Sequence, residues 1–244
     1  MGAKTALLAF AGGDLRPALR EAVPAGEAEA GELVRALHPG YEVTSIGESV
    51  LGDDCYPPED TSYVAVLPGA VLFCDGRLIC DLPSQLPARV LRAAEGRRVI
   101  MHGMHSVSDW LCFAVWENGE LVRSLSLSPD AGVRENIGEP YPFELPYWAG
   151  EHPVGDPYPL PFRPLELGGQ ALRALFGFVL EGRRQPGDLD PFDVELRGFR
   201  VADPSGREQA DREAAMSEVL QRMQPPRQYR FEADGSLREL GNEG

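Results

Sequence analysis

The stretch RRVIMHGMHSVSDWLCFAVWENGELVRSLSLSP, residues 97–129, decides the fold. Val99 to Met104 reads as a strand, and Trp110 to Glu117 is followed by Glu120 to Leu127 across Asn118-Gly119. Asn-Gly between two hydrophobic runs is the strongest short-range hairpin signal, because a two-residue primed turn needs positive φ at both central residues. Positions 107, 110, 111, 114 and 115 also fit one face of a helix, so the period alone is ambiguous. The density of aromatic and β-branched residues decides for strands. Trp110, Cys112, Ala114 and Trp116 alternate with Leu111, Phe113 and Val115, so both faces are apolar, as in a central strand covered on both sides. Residues 97–127 are therefore expected to form three sequential antiparallel strands.

N-terminal to this stretch, residues 4–11 read as a buried strand, and Asp14 as the N-cap of a helix through about Val23 with Pro17 in its first turn. Pro24 to Gly31 reads as a linker, Glu32 to Leu37 as a helix and Tyr41 to Ile46 as a strand. Gly47 to Thr61 has no period and reads as a loop. Residues 63–67, 70–74 and 78–82 read as strands, the last two as a hairpin around Asp75-Gly76, and Ser84 to Glu95 as a helix ended by Gly96. C-terminal to it, Pro129 to Glu166 holds nine of the 22 prolines and is expected to be irregular, and so a functional loop or a lid. Leu167 to Leu180 reads as an apolar helix, Phe192 to Val201 as a strand, Ser205 to Met223 as a charged helix, and Tyr229 to Leu240 as a hairpin around Asp234-Gly235. The expected fold is α+β: a mixed, mainly antiparallel sheet flanked by helices. One main domain spans residues 1–203, with a helix and hairpin extension over 204–244.

Charge narrows the function classes. The 244 residues carry 38 acidic and 23 basic side chains, a net −15, which repels phosphate backbones, so no nucleic-acid partner is expected. Only Lys4 is a lysine; an arginine-rich, Ala-, Gly- and Pro-rich chain suggests a bacterial source of high GC content. No run approaches the roughly 20 apolar residues that cross a bilayer, so no membrane partner is expected. The start, MGAKTALLAFAGG, has an Ala9-x-Ala11 step but too short an apolar run for a signal peptide. Cys55, Cys74, Cys80 and Cys112 contain no C-x-x-C pair and read as buried thiols in a reducing cytoplasm.

The segments GAKTALLAFAGGD, HPGYEV, MHGMHSVSDWLCFAVWENGELVRSLSLSPDAGVRENIGEPYPFELPYWAGEHPV and YPLPFRPLELGGQALRALFGFVLEG carry a resemblance. On them the chain resembles an uncharacterised family of bacterial proteins, of actinomycete type, defined only as a domain of unknown function. The resemblance spans most of residues 1–200 and implies a shared fold and a cytoplasmic setting, but no activity, cofactor or catalytic residue. Beyond about residue 203 it gives out.

Two constellations could carry chemistry. His102, His105 and Asp109 crowd one strand end, and with His152 or Glu151 they would make a two-histidine, one-carboxylate metal set. An offset of three puts His102 and His105 on opposite strand faces, so convergence requires the strand to end before His105. Ser106 and Ser108 lack a G-x-S-x-G elbow, and Gly12-Gly13-Asp14 reads as a tight turn, since Asp14 repels an anion. The second constellation is the proline-rich segment, whose Tyr141, Tyr147 and Trp148 lie among Glu144, Glu151 and other carboxylates. Aromatic faces with carboxylates suit a cation. The expected function is a cytoplasmic binding or interaction protein with no cofactor. Its acidic aromatic groove, built from Tyr141, Glu144, Tyr147, Trp148 and Glu151, takes a small cationic ligand or a basic protein segment. The alternative is a metal-dependent hydrolase in which His105, Asp109 and Glu151 act and His102, His105, Asp109 and His152 hold the metal.

Overall fold

A computed structural model describes residues 2–20, 25–155, 157–208, 210, 211, 213, 214, 217, 228–231 and 237–240. Its elements, numbered in chain order, begin with β1 (Lys4–Ala11), α1 (Leu15–Arg20), α2 (Glu27–Leu37), β2 (Glu42–Val50), α3 (Leu51–Asp54), β3 (Thr61–Leu67) and β4 (Ala70–Cys74). They continue with α4 (Ala88–Ala93), β5 (Arg98–His105), β6 (Trp110–Glu117), β7 (Glu120–Ser128) and β8 (Gly132–Ile137). Last come α5 (Leu145–Trp148), α6 (Pro164–Phe176), β9 (Glu195–Ala202), β10 (Gln228–Phe231) and β11 (Leu237–Leu240).

Nine strands form one sheet in the order β2-β9-β3-β4-β1-β5-β6-β7-β8, and every pairing in it is antiparallel. The α+β class holds. Residues 97–127 are the three strands the sequence implies, and Asn118 and Gly119 turn β6 into β7 with φ of 52° and 82°. Strand periodicity then builds two cores. Leu7, Leu72, Phe113 and Leu127 point to the face covered by α6, where Tyr147, Phe162 and Phe176 join them. Leu8, Phe10, Phe73, Val99 and Trp116 point to the other face, where Val34 of α2 and Val90 of α4 close the layer.

Several boundaries differ from the sequence reading. The hairpin at Asp75-Gly76 does not form: Asp75 instead accepts a hydrogen bond from the Arg77 N–H, 2.8 Å away, and caps a single tight turn over Gly76–Leu78. Asp-Gly serves a capped turn as readily as a hairpin, and β4 turns back on β3 through Pro68-Gly69 instead. Half of the expected linker is helix, because Glu27 and Glu29 complement the N-terminal dipole of α2 while Ala30, Val34 and Leu37 bury one face. The expected loop from Gly47 contains the end of β2, which is bulged between Ser45 and Gly47, and the one-turn α3. A proline at 87 keeps α4 short. α6 starts three residues before the expected helix and ends at Gly177, whose φ of 86° lets its N–H reach the Leu172 and Arg173 carbonyls.

The proline-rich segment is the largest departure. It holds an edge strand, β8, and the one-turn α5, and it is pinned rather than free to move as a lid. Arg123 on β7 and Glu144 are both buried and form a fork, 2.9 Å between Nε and Oε1. The Arg123 Nη1 also donates to the carbonyls of Ser124, Ile137 and Gly138 and to Asn136 Oδ1, while Glu144 Oε1 accepts from the Tyr141 N–H. One buried ion pair thus ties the segment to the sheet.

The chain divides into two units, Met1–Ala202 and Asp203–Gly244. In the second, Arg207, Glu208, Ala210, Asp211, Glu213, Ala214 and Ser217 are helical, and β10 pairs antiparallel with β11. The rest of the helix expected over 205–223, and the turn expected at Asp234-Gly235, lie outside the described residues.

Candidate functional site

α6 carries the site, and residues below it fix its height and rotation. His102 on β5 is fully buried, and its Nε2 lies 3.0 Å from the Gly168 carbonyl of α6. A carbonyl only accepts, so Nε2 carries the proton and Nδ1 accepts from Thr5 Oγ1, 2.8 Å away. Burial pushes this histidine down to about 4, so it stays neutral. A side chain at Gly168 would lie 3.1 Å from Leu111 Cδ1 and 3.2 Å from Met104 Sδ, so glycine sets how closely α6 approaches the sheet. At the helix start, Asp109 accepts from the Leu165 N–H at 3.4 Å and from the Tyr158 hydroxyl.

Beside α6 opens a cleft of about 530 Å³. Its floor includes Met104, Leu172 and Val179; around them stand Tyr147, His152, Glu166, Gln170, Arg173 and Arg183. Tyr147 stacks on His152 with centroids 4.0 Å apart and planes 10° from parallel, and meets Phe162 edge-on at 5.3 Å. Burial, and to a smaller degree the Glu166 carboxylate, raise its phenol pKa. Neither the Tyr147 hydroxyl nor the exposed carboxylate of Glu166 has a hydrogen-bond or ionic partner among the described residues.

Of the groove residues read from the sequence, only Tyr147 lines this cleft. Glu144 is committed to Arg123, so it is no free counter-charge. Trp148 packs edge-on against Phe162 at 5.0 Å, Tyr141 stacks on Phe143 at 5.7 Å, and Glu151 is exposed. His152, which the groove reading did not include, lines the cleft with Tyr147. The proposed metal set is not assembled. β5 continues through His105, which leaves His102 and His105 on opposite faces; His105 meets Tyr56 edge-on at 5.7 Å, and Asp109 holds Tyr158. Among the described residues no group of three His, Cys, Asp or Glu side chains could hold a metal ion. The four cysteines are unpaired, and burial raises the thiol of Cys55 to about 12. Asp14 is forked to Arg16, 2.6 Å from its Nη2.

Gln170 and Arg173 escaped the sequence reading, and Glu166 entered it only as one of the carboxylates of the proline-rich segment. Their signal was present as polar residues at i, i+4 and i+7 of an otherwise apolar helix, one stripe on one face.

Residues 5–199 match the sequence model of a family of unknown function, DUF6928. The chain belongs to that family. No curated protein and no solved structure matches it. The DUF6928 region runs from within β1 to within β9, so it takes in seven strands of the sheet whole, most of β1 and β9 and almost the whole cleft lining, and it stops short of the second unit. No helix among the described residues is long and apolar enough to cross a membrane.

Proposed function

We propose that this DUF6928 protein is a cytoplasmic binding protein that takes a small amine-bearing ligand in the cleft beside α6. One observation carries the reading: the ring of Tyr147 stacks on His152 and meets Phe162 edge-on, while among the described residues neither its hydroxyl nor the carboxylate of Glu166, a fellow lining residue whose charge acts on it, has a hydrogen-bond or ionic partner. An ammonium group donates three hydrogen bonds, and a carboxylate with a phenol oxygen accepts them with charge assistance. A volume of about 530 Å³ falls in the range of small-molecule sites, roughly 300–1,000 Å³. The net charge of −15 draws cations and repels nucleic acid. Four unpaired cysteines suit a reducing compartment.

The test is a calorimetric and thermal-shift screen of primary amines and an arginine-rich peptide against the full chain. A primary amine should bind, and Glu166→Gln should weaken it about tenfold, the loss of one charged hydrogen bond, with melting unchanged. Binding of the peptide alone would move the site to a surface, and no binding by any amine would end the proposal.

A further inference from the structure

The cleft is not uniformly acidic, and its charges are ordered along α6. Glu166, Gln170 and Arg173 line it at i, i+4 and i+7, so they share a face, and Glu166 and Arg173 lie about 10 Å apart along the axis at 1.5 Å per residue. At the far end Arg173 is already occupied. Its Nε faces both oxygens of the nearly buried Asp188 at 3.3 Å, and its Nη2 donates to the Arg183 carbonyl at 3.1 Å. That pair is neutral as a unit, and it brings the Arg183 backbone to the C-terminal end of the cleft. Arg183 lines the cleft and is exposed, and its side chain has no hydrogen-bond or ionic partner among the described residues. Among the described residues the lining thus carries an unpaired carboxylate, Glu166, towards the start of α6 and an unpaired arginine, Arg183, where Arg173 holds its carbonyl, with the apolar Met104, Leu172 and Val179 in the same lining.

Resting on the amine-binding reading, we infer that Arg183 is an anion-recognising residue and that the ligand class is an elongated zwitterion. Its ammonium meets Glu166 and Tyr147, its apolar chain lies over the floor, and its carboxylate reaches Arg183. An arginine fork matches a carboxylate with two parallel N–H···O bonds. The other titratable groups on the lining are His152, stacked on Tyr147, and Glu181, two residues from Arg183 and without a hydrogen-bond or ionic partner among the described residues. Glu181 opposes an anion at that end, so neutralising it must help the zwitterion.

Calorimetry on the full chain with 6-aminohexanoate, hexylamine and hexanoate tests this. 6-Aminohexanoate should bind about tenfold tighter than hexylamine, and hexanoate should bind worst. Arg183→Gln should erase the advantage of 6-aminohexanoate over hexylamine and leave hexylamine unchanged, whereas Glu181→Gln should enlarge it. Arg183 is exposed, so its replacement leaves the fold intact. If hexylamine binds as tightly as 6-aminohexanoate, or if Arg183→Gln leaves the preference in place, the anion subsite is wrong while amine binding stands. If neither amine binds, both proposals fall.

Discussion

Arg123 grips both oxygens of Glu144, 2.9 Å from Nε to Oε1, with neither side chain reaching solvent. This contact converts the proline-rich segment from a loop into a fixed wall of the sheet. Breaking such a pair from one side costs more than the pair contributes, because the remaining charge stays buried. Glu144→Ala should therefore destabilise the protein by about 3–5 kcal/mol. Arg123→Met combined with Glu144→Leu should lose much less, and urea midpoints of the three proteins check both expectations.

His102 gives stability a defined pH dependence. Its folded pKa of about 4 lies below the ordinary 6.5, so acidification protonates the unfolded chain first. This contribution is complete above pH 6.5 and is lost as pH falls from 6.5 to 4, for a total of about 3 kcal/mol. His102→Gln should flatten the slope in that window, and urea melts at pH 7.5 and pH 5 on both proteins would show it. A slope unchanged by the substitution would contradict the buried neutral ring.

At the β6–β7 turn, Gly119→Val should destabilise by about 1–2 kcal/mol, since φ of 82° is strained for a β-branched residue. Asn118→Gly should be nearly neutral, because glycine tolerates positive φ as readily as asparagine. Thermal melts of the pair distinguish turn strain from loss of side-chain contacts.

Removing residues 206–244 should leave residues 1–205 soluble with one cooperative melting transition, since Met1–Ala202 forms its own unit and holds both cores. Aggregation of the shortened chain, or loss of its transition, would show that the tail completes the core.

What could be read in advance follows from where apolar side chains fall. β1 and β5 to β7 bury alternating or continuous apolar residues, and the Asn118-Gly119 turn is written in its dihedral demands. β8 was invisible because an edge strand needs no apolar period: of Gly132 to Ile137 only Glu135 is buried, and that through hydrogen bonds from Ser84 and Ser124. The cleft was half legible. Tyr147 could be named from composition, but Glu144, read as a free charge, is spent on Arg123, a partner 21 residues upstream that only the folded sheet brings beside it. Glu166 and Arg183 could not be matched before α6 was known to begin at Pro164 and the 181–188 turn to double back on it.

β1 lies in the middle of the sheet, between β4 and β5, although it is the first strand of the nine. During synthesis its row of Leu7, Leu8, Ala9 and Phe10 exists long before β5, at residues 98–105, can cover its second edge. At about 5–20 residues per second that wait is roughly 5–20 s, and β4, at 70–74, can cover only the other edge of this apolar ribbon in the meantime. β2 waits longer still, for β9 at 195–202. The sheet of this chain can therefore close only after almost all of residues 1–202 have been made, a long-range pairing order that slows folding.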